Sequence, residues 1–374
     1  MILRRLSAVI FALALGASPA QAQDRTFFAE GSDTVLGLGA RHLAMGGTGT
    51  ATANDPYAVY WNPARLSAVE GTQISINRQL NAKLRPYTFI GAAVPVDWLE
   101  NAGLDMMFGA ARYPRVHARS TGAFSETDPQ SIFLRLLLPG VMGTYDGDID
   151  SKTMVNRFAV ALAPHDSDRF SLAFHLDWID CKSNTCGVHA GSNGYEWRSV
   201  HARAWSKGVS GTFKLSDNLT LGASYGDINT VLDVDMNVTD DLGSFDTVWQ
   251  AKLPSYQRVE LMWEPGDRTV LAFGYQKFAG VYGSTSLKFE TLHFGAERKF
   301  GQYFTGRLGA WMPITIEAQD LPVVTLPVPF VPSAGIGFEY GSLKADLGVY
   351  VHPIMSFHKN GPAPTAELSL TYTF

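Results

Sequence analysis

Alternation with a period of two constrains this chain more than any other feature. At its end, Ala366, Leu368, Leu370, Tyr372 and Phe374 alternate with Glu367, Ser369, Thr371 and Thr373. In an extended strand the two sets point to opposite faces, one apolar and one polar. Upstream, Leu343, Ala345, Leu347, Val349 and Val351 alternate with Lys344, Asp346, Gly348, Tyr350 and His352. The pattern returns at 334–340, 219–225, 170–176 and 158–162. One such strand suits a soluble sandwich as well as a barrel, so the connections must separate the two.

Short turns at 164–168, 216–218, 265–268, 299–302 and 341–342 alternate with long loops at 114–153, 179–199, 228–255, 313–331 and 353–364. A shorter loop falls near 279–285. Outer-membrane barrels alternate in this way between their periplasmic and extracellular ends. Strands are predicted near 72–79, 86–95, 104–113, 154–163, 169–178, 200–214 and 218–227. They continue near 256–264, 269–278, 286–297, 302–312, 332–340, 343–352 and 365–374. The total of about fourteen is even, and each strand is long enough to cross a bilayer at a tilt. The expected fold class is all-β: a transmembrane antiparallel β-barrel over residues 71–374. A phase slip between Phe289 and Leu292 predicts either a bulge or a misread strand. The terminal aromatic, Phe374, resembles the signal by which outer-membrane barrels are recognised for assembly.

Composition agrees with a translocated chain. Arg4 and Arg5, the apolar run from Leu6 to Leu15 and the Ala20-Gln21-Ala22 site have the build of a secretory signal peptide over 1–22. The apolar run is too short for a membrane anchor. Charged residues make up 17% of the chain, against about 25% in soluble proteins. No later stretch reaches the ~18 apolar residues of a membrane helix. The net charge of −5 is spread along the chain and points to no nucleic acid partner. Cys181 and Cys186 are close neighbours, and a small local disulfide is the default in an oxidising compartment. Two thiols alone make an incomplete zinc site, so no metal is expected.

Residues 23–70 do not read as barrel strands and predict a compact insert. Its small-residue run Gly39–Ala51 leads into Asn54-Asp55-Pro56-Tyr57-Ala58-Val59-Tyr60-Trp61-Asn62-Pro63-Ala64-Arg65-Leu66. Glycine permits close packing or positive φ, and Asn-Pro favours a turn. No Gly-Lys-Ser/Thr follows the glycines and no G-x-G-x-x-G opens a helix, which argues against phosphate binding.

This segment resembles the N-terminal hatch of the FadL/TodX-like outer-membrane transport proteins. Met45, Gly46 and Gly47 together with Asn62, Pro63 and Ala64 carry the likeness. The resemblance implies a fourteen-stranded barrel plugged by residues 23–70 in the outer membrane of a Gram-negative bacterium. It also implies uptake of hydrophobic small molecules such as long-chain fatty acids or aromatic hydrocarbons. The scheme is capture by loops, binding in a lumenal pocket, hatch movement, and lateral release through a distorted strand. The PorV-like branch, which serves protein secretion, is the alternative. Hydrophobic compounds, outer-membrane lipid and lipopolysaccharide are the expected partners of a monomer that needs no cofactor.

Candidate parts follow from residue type. Ile132, Phe133, Leu136 and Leu137 lie in the 114–153 loop and suit either a capture groove or packing against loops and the outer leaflet. Gly109 permits a strand kink or ordinary barrel packing. By alternation Arg157, Arg258, Arg307 and Lys344 face the lumen. There they would meet a cargo carboxylate or pair with acids such as Glu260. Asn62 either ties the hatch to the wall or forms an Asx-turn before Pro63. The acidic stretches 146–150 and 233–237 suit solvated loops or a calcium site. The second begins like an EF-hand loop, but Val238 stands where glycine is needed and no Glu follows at the twelfth position, which favours the solvated loop. No G-x-S-x-G, H-x-x-x-H or Ser/His/Asp arrangement supports an enzyme.

Overall fold

The computed structural model describes residues 26–32, 37–80, 88–124, 145–181, 186–192, 195–282, 285–318, 330–352, 356 and 362–374. Its strands are β1 (Thr26–Ser32), β2 (Gln73–Gln79), β3 (Ile90–Val96), β4 (Leu104–Phe124), β5 (Tyr145–Pro164) and β6 (Phe170–Cys181). Next come β7 (Cys186–Ser192), β8 (Tyr195–Ser216), β9 (Leu219–Gly226), β10 (Val231–Asp240), β11 (Gly243–Lys252) and β12 (Ser255–Gly266). The last are β13 (Thr269–Tyr282), β14 (Thr285–Phe300), β15 (Phe304–Ala318), β16 (Val331–Tyr340), β17 (Leu343–Val351) and β18 (Pro364–Thr373).

Fourteen of these strands, β2 to β6, β8, β9 and β12 to β18, pair antiparallel in chain order and form a ring. The ring closes where β18 meets β2, with Thr371 opposite Ser75. Residues on the strands alternate between the two sides. On β6, Phe170, Leu172, Phe174 and Leu176 are exposed, while Ser171, Ala173, His175 and Asp177 are buried. Apolar side chains outside and polar ones inside invert the order of a soluble protein and fit a lipid surround. No described helix is long and apolar enough to cross a membrane.

Residues 37–70 lie inside the ring. They contain two short helices, α1 (Ala40–Ala44) and α2 (Ala58–Trp61), and a 3-10 turn at Pro63–Ala68. Their side chains are almost all buried, with Trp61, Tyr57 and Tyr60 the bulkiest. Sequence gave no strand in 23–70, yet β1 forms there and pairs with the upper part of β4, Phe27 opposite Ser120.

The loops are shorter than expected. β4 and β5 run far into the 114–153 stretch and pair as far as Phe124 and Tyr145. β7 occupies part of 179–199, and β10 and β11 form a hairpin within 228–255. Once a hairpin passes beyond the bilayer its outward face meets water, so the outward positions cease to be apolar while the backbone ladder continues. The acidic stretches therefore lie in β5 and β10 rather than in loops. The phase slip near Phe289 is a bulge: the β14–β15 register shifts between Glu290 and Thr291.

The β4–β5 pairing shows no irregularity at Gly109; its register shifts instead between Pro114 and Val116. A Cβ at Gly109 would strike Val59 and Leu66, so its absence lets the inner segment approach the wall. The expected signal peptide, Ile132, Phe133, Leu136 and Leu137 fall outside the described residues. Cys181 is disulfide-bonded; the Cys186 side chain is not among those described.

Candidate functional site

The site is the seat of residues 37–70 within the ring. At Met45-Gly46-Gly47 the chain turns through φ values of +70° at Gly46 and +78° at Gly47, which favour glycine. A Cβ at Gly46 would enter the backbone of Ala310 and Phe294. Gly46 N–H donates to Ser333 Oγ at 3.0 Å, and Ser333 Oγ–H donates to Ala44 O at 3.0 Å. His293 Nδ1 lies 2.8 Å from Gly46 O. The segment is thus held against β14, β15 and β16.

A carboxylate holds the next stretch. Gly49, Thr50, Ala51 and Thr52 donate their backbone N–H groups to Glu260 on β12, at 2.8, 2.9, 3.0 and 3.1 Å. Buried amides need acceptors, and a charged one binds them more strongly than a carbonyl. Sequence alternation put Glu260 inside but suggested a partner cation; its partners are backbone amides, which no side-chain pattern reveals.

Asn62 does both things its sequence allowed. Its Oδ1 accepts from Ala64 N at 3.0 Å, closing the Asx-turn. Its amide donates to Thr50 O at 2.7 Å and to Gly211 O on β8 at 3.1 Å. Ala64 N also donates to Ser210 Oγ, while Ser171 Oγ donates to Ala64 O at 2.7 Å. Pro63 sits at the first position of the 3-10 turn, where a missing N–H costs nothing. One triplet thereby joins β6, β8 and the loop at Thr50.

All four inward cations meet the inner segment or its neighbours. Arg157, 1% exposed, pairs with Asp177 through Nε and Nη2, each at 2.7 Å, and donates from Nη1 to Tyr60 O at 3.1 Å. Arg307 pairs with Glu297 at 2.6 Å and Asp346 at 2.8 Å. Glu297 in turn holds Arg41 at 2.9 Å. Arg258 has no carboxylate partner among the described residues. It donates to Gln276 Oε1, Tyr60 O and Tyr60 Oη, and lies 4.5 to 5.0 Å from the rings of Tyr60, Tyr256 and Trp61. Such a collar stabilises a desolvated cation. Lys344 is half-buried and acts electrostatically on Asp55. Burial, the largest influence on Asp55, works against its charge. His42, Lys344 and Arg41 overcome that and hold the carboxyl below its ordinary range.

The two ends of the seat differ. Towards the long loops Val155, Ile179, Ala202, Ala204, Leu232 and Val234 form an inward apolar group, with Trp249 and Leu253 packed against them, beside the buried Arg115–Asp227 ion pair with Ser206 and Thr230. Phe278, Phe289, Trp311 and Val331 form a second apolar group on the other strands. Towards the short turns a polar cavity of about 490 Å³ is lined by Arg65, His165, Lys214, Glu264, Arg268 and Lys299, among others. Burial lowers the Arg65 guanidinium to about 10, and nearby Arg41 adds to the shift. Among the described residues no group of three or more His, Cys, Asp or Glu side chains could hold a metal ion.

No protein-family model matches the chain, and no curated protein matches it by sequence. Solved structures do match over nearly its whole length. The Ralstonia pickettii toluene transporter TbuX has a TM-score of 0.59 at 16% identity, covering 91% of this chain and 99% of that one. The Pseudomonas putida toluene transporter TodX has 0.59 at 15%, covering 90% and 98%. A Pseudomonas aeruginosa FadL homologue has 0.55 at 15%, covering 93% and 100%. Identities this low speak to architecture: the chain has the fold of the FadL/TodX channels, a closed antiparallel β-barrel of fourteen strands.

Proposed function

We propose that the protein admits small hydrophobic molecules through the outer membrane of a Gram-negative bacterium, with residues 37–70 as its hatch. One observation carries the reading: two large apolar groups lie on the long-loop side of the seat, and a polar cavity on the short-turn side. A hydrophobic solute gains by leaving water for the first and has no reason to remain in the second. Between them the segment combines hydrogen bonds and ion pairs to the wall with apolar packing, Tyr57 stacking on Phe89 and Val59 and Leu66 lying against Gly109. The fold of toluene transporters and of a FadL homologue supports the same reading.

Uptake of labelled long-chain fatty acid and of labelled toluene is measured in cells lacking the protein. Those cells then receive wild type or Asn62→Ala at matched surface levels. Wild type restores uptake of at least one compound, and Asn62→Ala changes its rate severalfold by freeing Thr50 and Gly211. If a correctly assembled wild-type barrel restores neither, hydrophobic uptake is abandoned, and secretion partners are sought instead.

A further inference from the structure

The outer face of the barrel carries a feature that uptake does not use. Trp178 on β6 and Trp205 on β8 face outward as a pair, with ring centroids 5.0 Å apart. Around them outward positions change from apolar to charged. The acids there are engaged. His201 Nε2 lies 2.8 Å from Asp180, Arg203 lies 3.7 Å from Asp235, and Gln250 donates to Asp233 at 2.8 Å. On β14, Lys288 pairs with Glu290 at 2.9 Å. Lys207 on β8, Lys252 on β11 and Lys277 on β13 have no side-chain partner among the described residues.

Register places Lys207 and Lys277 near one level, with Lys252 above them on the hairpin that continues β9 and β12. Lys207 stands opposite Leu176, Lys252 opposite Val231, and Lys277 between Gln257 and Glu290. Lys207 and Lys277 each lie about nine residues above a short turn; at ~3.4 Å per residue and ~40° of tilt that is roughly 23 Å. The apolar band of such barrels is ~25 Å tall, so the ammonium groups emerge at the headgroup level of the outer leaflet, helped by flexible stems. Strands β9 and β12 separate β8 from β13 in the ring, a spacing of about 14 Å. Phe174 and Val209 below Lys207, and Leu176 opposite it, are exposed on the outer face.

We propose that Lys207, Lys252 and Lys277 bind the phosphorylated headgroup of an outer-leaflet glycolipid, lipid A. Its two phosphates lie at opposite ends of a disaccharide, which suits cations spread over several strands better than one compact pocket. Its acyl chains follow Phe174, Leu176 and Val209, and the Trp178–Trp205 pair lies at the boundary. The site rests on outer-membrane placement, not on what crosses the lumen.

The test uses the full-length barrel in detergent. Diphosphoryl lipid A, its dephosphorylated form and inorganic phosphate are added separately, with retained lipid counted by native mass spectrometry and thermal midpoints followed. Wild type retains diphosphoryl lipid A and is stabilised by it, and prefers it to the dephosphorylated form by tenfold or more. Each single Lys→Gln change weakens binding roughly fivefold, and the triple change K207Q/K252Q/K277Q abolishes the preference. Arg268→Gln, at the short-turn end, leaves it unchanged. The proposal fails if the triple variant keeps the wild-type preference, or if wild type binds both lipids equally. It fails too if inorganic phosphate at low millimolar concentration displaces the lipid, since the site then belongs to a free anion.

Discussion

Glu260 is the residue on which most backbone of the inner segment converges, since one carboxylate takes four consecutive amides. Glu260→Gln keeps its shape but removes the charge and turns N–H groups toward N–H donors. The expected cost is about 2–4 kcal/mol, localised at the seat. Hydrogen exchange of the Gly49–Thr52 amides should rise at least tenfold while exchange in the wall strands is unchanged; an equal rise in both would mean general destabilisation. Asp55 sets the acid limit of the same seat. A depressed carboxyl contributes stability above its unfolded value, and that contribution is lost only as pH falls through the folded one. Since Asp55 is held below its ordinary range, protection of residues 37–62 should be flat from pH 7 to about pH 5 and decline only below about pH 4. Asp55→Asn should remove that acid limb, and an acid limb that persists in the variant assigns it to another group.

At the scale of elements, the β10–β11 hairpin extends the wall beyond the closed ring and pairs with β8 from Asp233 to Thr239. The ring passes directly from β9 to β12, with Tyr225 opposite Gln257, and Leu253 N already donates to Thr230 O at the base of the hairpin. Excising residues 231–252 and joining the ends through two glycines should leave the heat-modifiable gel mobility of the folded barrel intact. Binding of a hydrophobic probe should weaken severalfold, because Leu232, Val234 and Trp249 leave the apolar wall. Unaltered binding would remove that wall from the proposed route. The hairpin also shows what could not be read in the sequence. Strands beside lipid announce themselves, as Phe170, Leu172, Phe174 and Leu176 do, because each outward position must be apolar. In β10 the aspartates Asp233 and Asp235 stand at positions where water is tolerated on one side, and the stretch reads as a loop.

For the whole molecule, the number of ring strands and their order were legible because lipid outside and polar groups inside impose one pattern on every crossing. The partners inside the ring were not. Arg258 and Glu260 are two residues apart on one face of β12, and alternation alone suggests paired charges. In the barrel Tyr60 and Gln276 engage the first, and the backbone of 49–52 engages the second. Which group comes opposite which depends on the shear of the ring and on how the inner segment folds, and neither has a local signature. Asn62 was legible for the opposite reason: its turn is local, and only its bond to Gly211 is not.

The seam between β2 and β18 has a consequence for biogenesis. Ser75 and Thr371 touch across it although 296 residues separate them. Until β18 has been made and docked, the cylinder is an open sheet with two bare edges. The segment at 37–70, made early, must wait beside that sheet, because its tethers lie on strands from both halves of the chain, Ser210 on β8 and Ser333 on β16 among them. Shutting the seam around a misplaced segment would trap it outside, with no way in afterwards. Lumen filling and wall closure are therefore one event in time, and an assembly machinery that holds the sheet open until its last strand arrives also guards the plug.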